Sequence, residues 1–73
     1  MSDADAARRM LASVEAAMSK AEDLMKSKDQ DVRMFALDVF TRLAEIEMSL
    51  ITILGYGPED RDNPLARRTR LEH

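Results

Sequence analysis

Few side chains in this sequence could carry out catalysis or hold a metal ion. The chain has no cysteine, and its one histidine, His73, closes the tripeptide Leu71-Glu72-His73. A vector-encoded affinity tag often begins this way, so we expect residues 71–73 to be a tag remnant and set them aside. The rest of the sequence has neither a thiolate nor an imidazole, which excludes Cys/His zinc sites and imidazole-assisted nucleophiles. We therefore expect no catalytic residue, no metal, no cofactor and no enzymatic activity.

Glu47 is the polar side chain whose position suggests a special role. At 100° per residue it lies between two rows of apolar residues in the second half of the chain. One interpretation is a buried acid, or an ion pair that sets the register of a dimer. The other is a carboxylate at the edge of a bundle that reaches water along its methylene groups. The sequence leaves both interpretations open.

A cluster of arginines near the end of the sequence is a candidate anion contact: Arg67, Arg68 and Arg70. Guanidinium groups bind phosphate well, and a basic tail gains affinity for nucleic acid by releasing counterions. The cluster is short, however, and contains no aromatic residue on which a base could stack. A nucleic-acid-associated protein that uses this tail is thus the alternative to our main functional hypothesis.

The first of two long stretches without glycine or proline predicts an amphipathic helix over residues 3–27. Its apolar residues alternate at spacings of four and three, the pattern of a helix in a bundle: Ala7, Leu11, Val14, Met18, Ala21 and Met25. A second row runs beside them, formed by Met10, Ala17 and Leu24. Ser2 is the expected N-cap.

The second stretch predicts a helix over residues 30–54 with a wider apolar surface. One row has the same spacing and consists of Val32, Ala36, Val39, Leu43, Ile46, Leu50 and Ile53. The adjacent row consists of Leu37, Phe40, Ala44, Ile51 and Leu54. With Phe35 on the other edge, these residues cover a sector of roughly 200°, whereas a helix packed on one partner needs little more than 100°. The second helix therefore has apolar surface for two partners.

The segment between the stretches is predicted to be a turn, although it contains neither glycine nor proline. Ser27 and Gln30 fit a capping box, and Asp29 or Asp31 could also cap the second helix. A single helix from about residue 4 to 54 is the competing interpretation. It is disfavoured because the apolar row of the first helix, extended in phase, meets Lys28 and Arg42.

The end of the second helix is clearer. Gly55 suits the left-handed residue that follows a helix, and Tyr56 would then pack back on Ile51. Beyond it, residues 58–70 are expected to form a polar, Arg-rich tail that is largely disordered.

These patterns predict an all-α protein in which residues 1–57 form an antiparallel helical hairpin that dimerises into a four-helix bundle. The row expected to form the dimer or partner interface is Leu37, Phe40, Ala44, Ile51 and Leu54. If the sequence were a piece of a longer protein, that row could instead pack on the missing residues. The net charge of −3 serves solubility and identifies no partner.

The main functional hypothesis is a small, non-enzymatic interaction or dimerisation module that binds itself and another protein. A small-molecule substrate is not expected, nor is contact with a membrane, since the apolar stretches are too short to span a bilayer. Because no secretory leader is visible, we expect a cytoplasmic protein. A third hypothesis, an enzyme that uses interfacial arginines and glutamates, requires a deep charged pocket between helices, which the apolar rows do not favour.

Overall fold

The computed structural model describes residues 2–57 together with residues 60, 63 and 64. Over these residues the chain forms two α-helices and no strand, with α1 at Asp3–Leu24 and α2 at Gln30–Leu54. The helices pack against each other as a hairpin, and Leu11 near the start of α1 shares a core with Leu50 near the end of α2. The all-helical hairpin is therefore confirmed, and the single continuous helix is not formed.

The start of α1 is fixed by Ser2, whose hydroxyl accepts a hydrogen bond from the amide of Asp5 at 3.2 Å. Its end lies at Leu24, before the predicted end near residue 27. The amide of Ser27 donates to the carbonyl of Leu24, three residues back, a spacing that tightens and closes the last turn. The Ser27 hydroxyl accepts from the amide of Asp29 at 3.1 Å, so this residue belongs to the turn.

The start of α2 is fixed by Asp29, one of the two aspartates proposed as its cap. One carboxylate oxygen accepts from the amides of Asp31 at 2.9 Å and Val32 at 3.4 Å, which satisfies two donors that have no partner within the helix. The guanidinium of Arg33 donates to the carbonyl of Ser27 at 2.8 Å. These local bonds hold a short connection in place without glycine or proline.

The end of α2 follows the sequence prediction closely. Gly55 is left-handed, with φ 72° and ψ 25°, and its amide donates to the carbonyl of Thr52 at 3.1 Å. The amide of Tyr56 donates to the carbonyl of Ile51 at 3.3 Å, and its ring packs against the core that contains Ile51. This pair of bonds is the Schellman arrangement, in which only glycine takes the left-handed position without strain.

The core between the helices is built largely from small residues. Among the described residues, seven hydrophobic side chains are buried: Ala7, Leu11, Met18, Ala21, Ala36, Leu50 and Ile51. Three of these seven are alanines, which allow the two helix axes to lie close together. Val14, Leu54 and Tyr56 pack against one end of this core. The hairpin thus buries few large apolar side chains.

Replacement of Gly55 by alanine is expected to lower the free energy of unfolding by about 1–2 kcal/mol, because an L-residue is strained in the left-handed conformation. No atom lies within 4 Å of the added methyl group, so the effect is conformational and not a clash. Urea denaturation followed by far-ultraviolet circular dichroism, at one fixed protein concentration, measures it.

Gly57→Ala is the matched control for this substitution. Gly57 does not have a positive φ, and a methyl group there also meets no atom within 4 Å. Its free energy of unfolding should stay within about 0.5 kcal/mol of the original. Equal losses for the two variants would contradict the conformational explanation.

Candidate interaction surface

Burial along α2 shows which of its apolar rows packs against α1. The buried residues of α2 are Ala36, Glu47, Leu50 and Ile51. Ile46 and Ile53 of the first apolar row are 44% and 71% exposed, although Ala36 and Leu50 of the same row are buried. In the second half of α2 the inward-facing positions are instead Glu47 and Leu54, each one residue later. An apolar sector of roughly 200° has no single row that must face inwards, so packing against α1 selected its middle.

The five residues predicted as a dimer or partner interface do not share one surface. Ile51 is buried in the core of the hairpin, and Leu54 packs against that core. Phe40 and Ala44 are half-buried, and Leu37 is exposed. The predicted row is therefore divided: its C-terminal members serve the hairpin itself, and only Leu37 and Ala44 lie along a flank of α2.

One side of the hairpin is apolar on both helices. On α1, Met10 and Ala17 immediately precede buried residues of the core, and Leu24 follows seven residues after Ala17. On α2, Ile46 and Ile53 immediately precede the inward-facing Glu47 and Leu54. An approximate two-fold axis perpendicular to both helices relates the members of an antiparallel pair, so equivalent positions lie on the same side.

We call this surface the apolar face. Its members lie at equivalent positions of the two helices, and Phe35 is added because it lies one turn before Val39. The full set is Met10, Ala17, Leu24, Phe35, Val39, Ile46 and Ile53. Five of the eight large hydrophobic side chains that are exposed among the described residues belong to it, and the most exposed is Ile53 at 71%. The sequence had shown these residues in separate rows. The sequence feature that these residues share is their position directly before a core residue in each helix.

The opposite side of the hairpin, which we call the mixed face, combines charged and apolar positions. It is formed by residues that directly follow inward-facing positions: Arg8, Glu15 and Glu22 on α1, and Leu37 and Ala44 on α2. Met48, one turn after Ala44, is also exposed. Arg8 also forms an ion pair with Asp5 at 3.0 Å within α1. The two faces therefore differ in charge although both flank the same core.

Glu47 is the most deeply buried polar side chain of the helices, with only 2% of its surface exposed. The interpretation in which its carboxylate reaches water at a bundle edge therefore does not describe the hairpin. No buried side-chain nitrogen or oxygen in the described residues lacks a hydrogen-bond partner, so the carboxylate is satisfied where it lies. An acid at an inward-facing position is costly unless it is satisfied in this way.

The region predicted as a disordered tail contains at least two packed residues. Asn63 and Pro64 are buried, and the Asn63 side-chain amide donates to the carbonyl of Gly57 at 3.0 Å. Pro64, directly after Asn63, has helical backbone conformation. The proposed anion contacts Arg67, Arg68 and Arg70 lie outside the described residues, as do residues 71–73.

Two further properties of the described residues bear on function. They contain no group of three or more histidine, cysteine, aspartate and glutamate side chains placed to hold a metal ion. Within the same residues, neither helix combines the length and the hydropathy that crossing a bilayer requires.

Comparisons of the chain with protein-family models, with curated protein sequences and with solved structures found no match.

Replacement of Glu47 by alanine is expected to lower the free energy of unfolding by about 2–4 kcal/mol. The change leaves a cavity in the core and removes the interaction that the buried carboxylate makes. Glu45→Ala is the control, because Glu45 lies on the exposed side of the same helix and its loss should change stability by less than about 0.5 kcal/mol. Urea denaturation of both variants at equal protein concentration measures the difference, and similar values for the two would show that Glu47 has no special role in packing.

Proposed function

We propose that this protein is a non-enzymatic interaction module that forms a homodimer, with two hairpins assembled into a four-helix bundle. The remaining outer surface is then available to another protein. A cytoplasmic location is part of this proposal. The absence of cysteine, with His73 as the single histidine, supports a role in binding over one in catalysis.

The observation that carries the proposal is the balance between buried and exposed apolar side chains. Among the described residues, eight large hydrophobic side chains are exposed, whereas only four of the seven buried ones are larger than alanine. Single exposed apolar residues are ordinary on a protein surface, but a contiguous group on adjacent helices is typical of a binding site. A substantial group of large apolar side chains on this hairpin is thus available for association.

The energetics of folding a small two-helix chain also favour association of two copies. The hydrophobic effect is the main favourable contribution to folding, and it scales with the apolar area removed from water. Small domains already bury a low fraction of their surface, and a single layer of two helices buries less still. Pairing two hairpins adds a second layer and covers side chains that one chain leaves in water. The second layer is therefore expected to stabilise the helices themselves.

The proposal predicts a mass of about twice the 8.3 kDa chain in solution. Size-exclusion chromatography with light scattering, over a hundredfold range of protein concentration, measures it. The urea midpoint should also rise with protein concentration, since association stabilises the folded chain by mass action. A helical monomer at every concentration, with a midpoint independent of concentration, would rule out the homodimer.

A further inference from the structure

We infer that the second copy of the chain docks on the apolar face, so that the two hairpins stack face to face and the mixed face stays outside. This inference rests on the proposed homodimer and adds the surface that forms it. It differs from the interface that the sequence pattern suggested, because Ala44 and Leu37 lie on the mixed face.

The residues that lie beside the core on this side of the hairpin are regularly spaced along both helices. Along α1 they are Ala6, Met10, Ser13, Ala17, Lys20 and Leu24, and along α2 they are Phe35, Val39, Arg42, Ile46, Ser49 and Ile53. Both sets follow steps of four and three, the repeat by which helices pack knobs into holes. Each helix thus has a second line of contact beside the one it uses within the hairpin. A helix in a four-helix bundle needs two such lines, one for each neighbour.

The size of the apolar face also suits an interface between two copies of the chain. Phe35 and Ile53 are 18 residues apart, which is about 27 Å along a helix. Two adjacent helices are roughly 20 Å wide, so the footprint is on the order of 500 Å². This value lies in the upper part of the range for the largest apolar patch of a monomer. The accessible area of such a corrugated surface exceeds its flat footprint, which brings it close to the roughly 800 Å² per partner of a stable interface.

The charge pattern of the apolar face also suits pairing with a second copy. In a two-fold dimer each patch meets its own copy, so a surface with few charges pairs with less repulsion than a highly charged one. The charged members of the contact line are Lys20 and Arg42, and the Arg42 guanidinium already contacts the Asp38 carboxylate at 3.2 Å. On the mixed face, by contrast, all three α1 positions are charged, and a second copy would have to desolvate them.

Two alanines at equivalent positions of the two faces allow a matched test. Ala17 lies at the middle of the apolar face and Ala44 at the middle of the mixed face, and both are half-buried. We expect Ala17→Arg to raise the dissociation constant of the dimer roughly thirtyfold or more, the effect of disrupting an interface hot spot. Ala44→Arg should leave the dimer intact. Light scattering of the full chain across a concentration series measures both, with circular dichroism to verify that each variant is helical.

The possible results separate this inference from the homodimer itself. If the unaltered chain is a dimer and Ala17→Arg remains one, or if both variants dissociate to the same extent, the apolar face is not the specific interface although the homodimer stands. If the unaltered chain is a folded monomer, both proposals fail, and the apolar face belongs to a different partner.

Cysteine substitutions keep the test informative if an arginine variant loses its helical structure. The chain contains no other cysteine, so Ala17→Cys and Ala44→Cys each present one thiol. A short bismaleimide should link two Ala17→Cys chains at dilute concentration and leave the Ala44→Cys variant as single chains. Preferential linking through position 44 would place the second copy on the mixed face and overturn the inference.

Discussion

Each helix of a hairpin has one neighbour, and one neighbour covers little more than a 100° sector of its surface. Most features of this hairpin follow from the fact that α2 has about twice that apolar sector. The middle of the sector packs against α1, and both edges stay at the surface, with Ile53 on one side and Leu37 on the other. Because α1 is apolar along one flank and charged along the other, the two sides of the hairpin become different surfaces.

The core that holds the helices together is small and its composition is unusual. Alanines allow the backbones to approach, Leu11 and Leu50 supply much of the larger apolar contact, and the buried Glu47 takes an inward-facing place that an aliphatic residue could fill. Turning α2 to bring Ile46 inwards would move the Glu47 carboxylate away from the place where it is satisfied. Local caps at Ser2, Asp29 and Gly55 fix where the helices begin and end. Rotation and length together determine which residues lie on the apolar face.

Much of this arrangement could be read from the sequence where the signal is local. The row from Ala7 to Ala21, the N-cap at Ser2 and the Gly55–Tyr56 ending depend on residues close together in the chain, and each was predicted. The orientation of α2 was not predicted. Its wide apolar sector allows several rows to face inwards, and which of them does so depends on packing with α1. The burial of Glu47 stayed ambiguous for the same reason. Its angular position on α2 followed from the sequence, but its burial depends on a neighbouring helix that only the folded chain provides.

The charged flank of α1 also has a consequence for how assembly ends. A hairpin with an apolar surface on each side could add copies at both sides and grow into an open-ended stack. Here Arg8, Glu15 and Glu22 make one side a poor match for a further hairpin, so a pair joined through its apolar sides has no equivalent surface left to extend. Three polar positions on one helix would thus set the number of subunits at two and protect the protein from polymerisation.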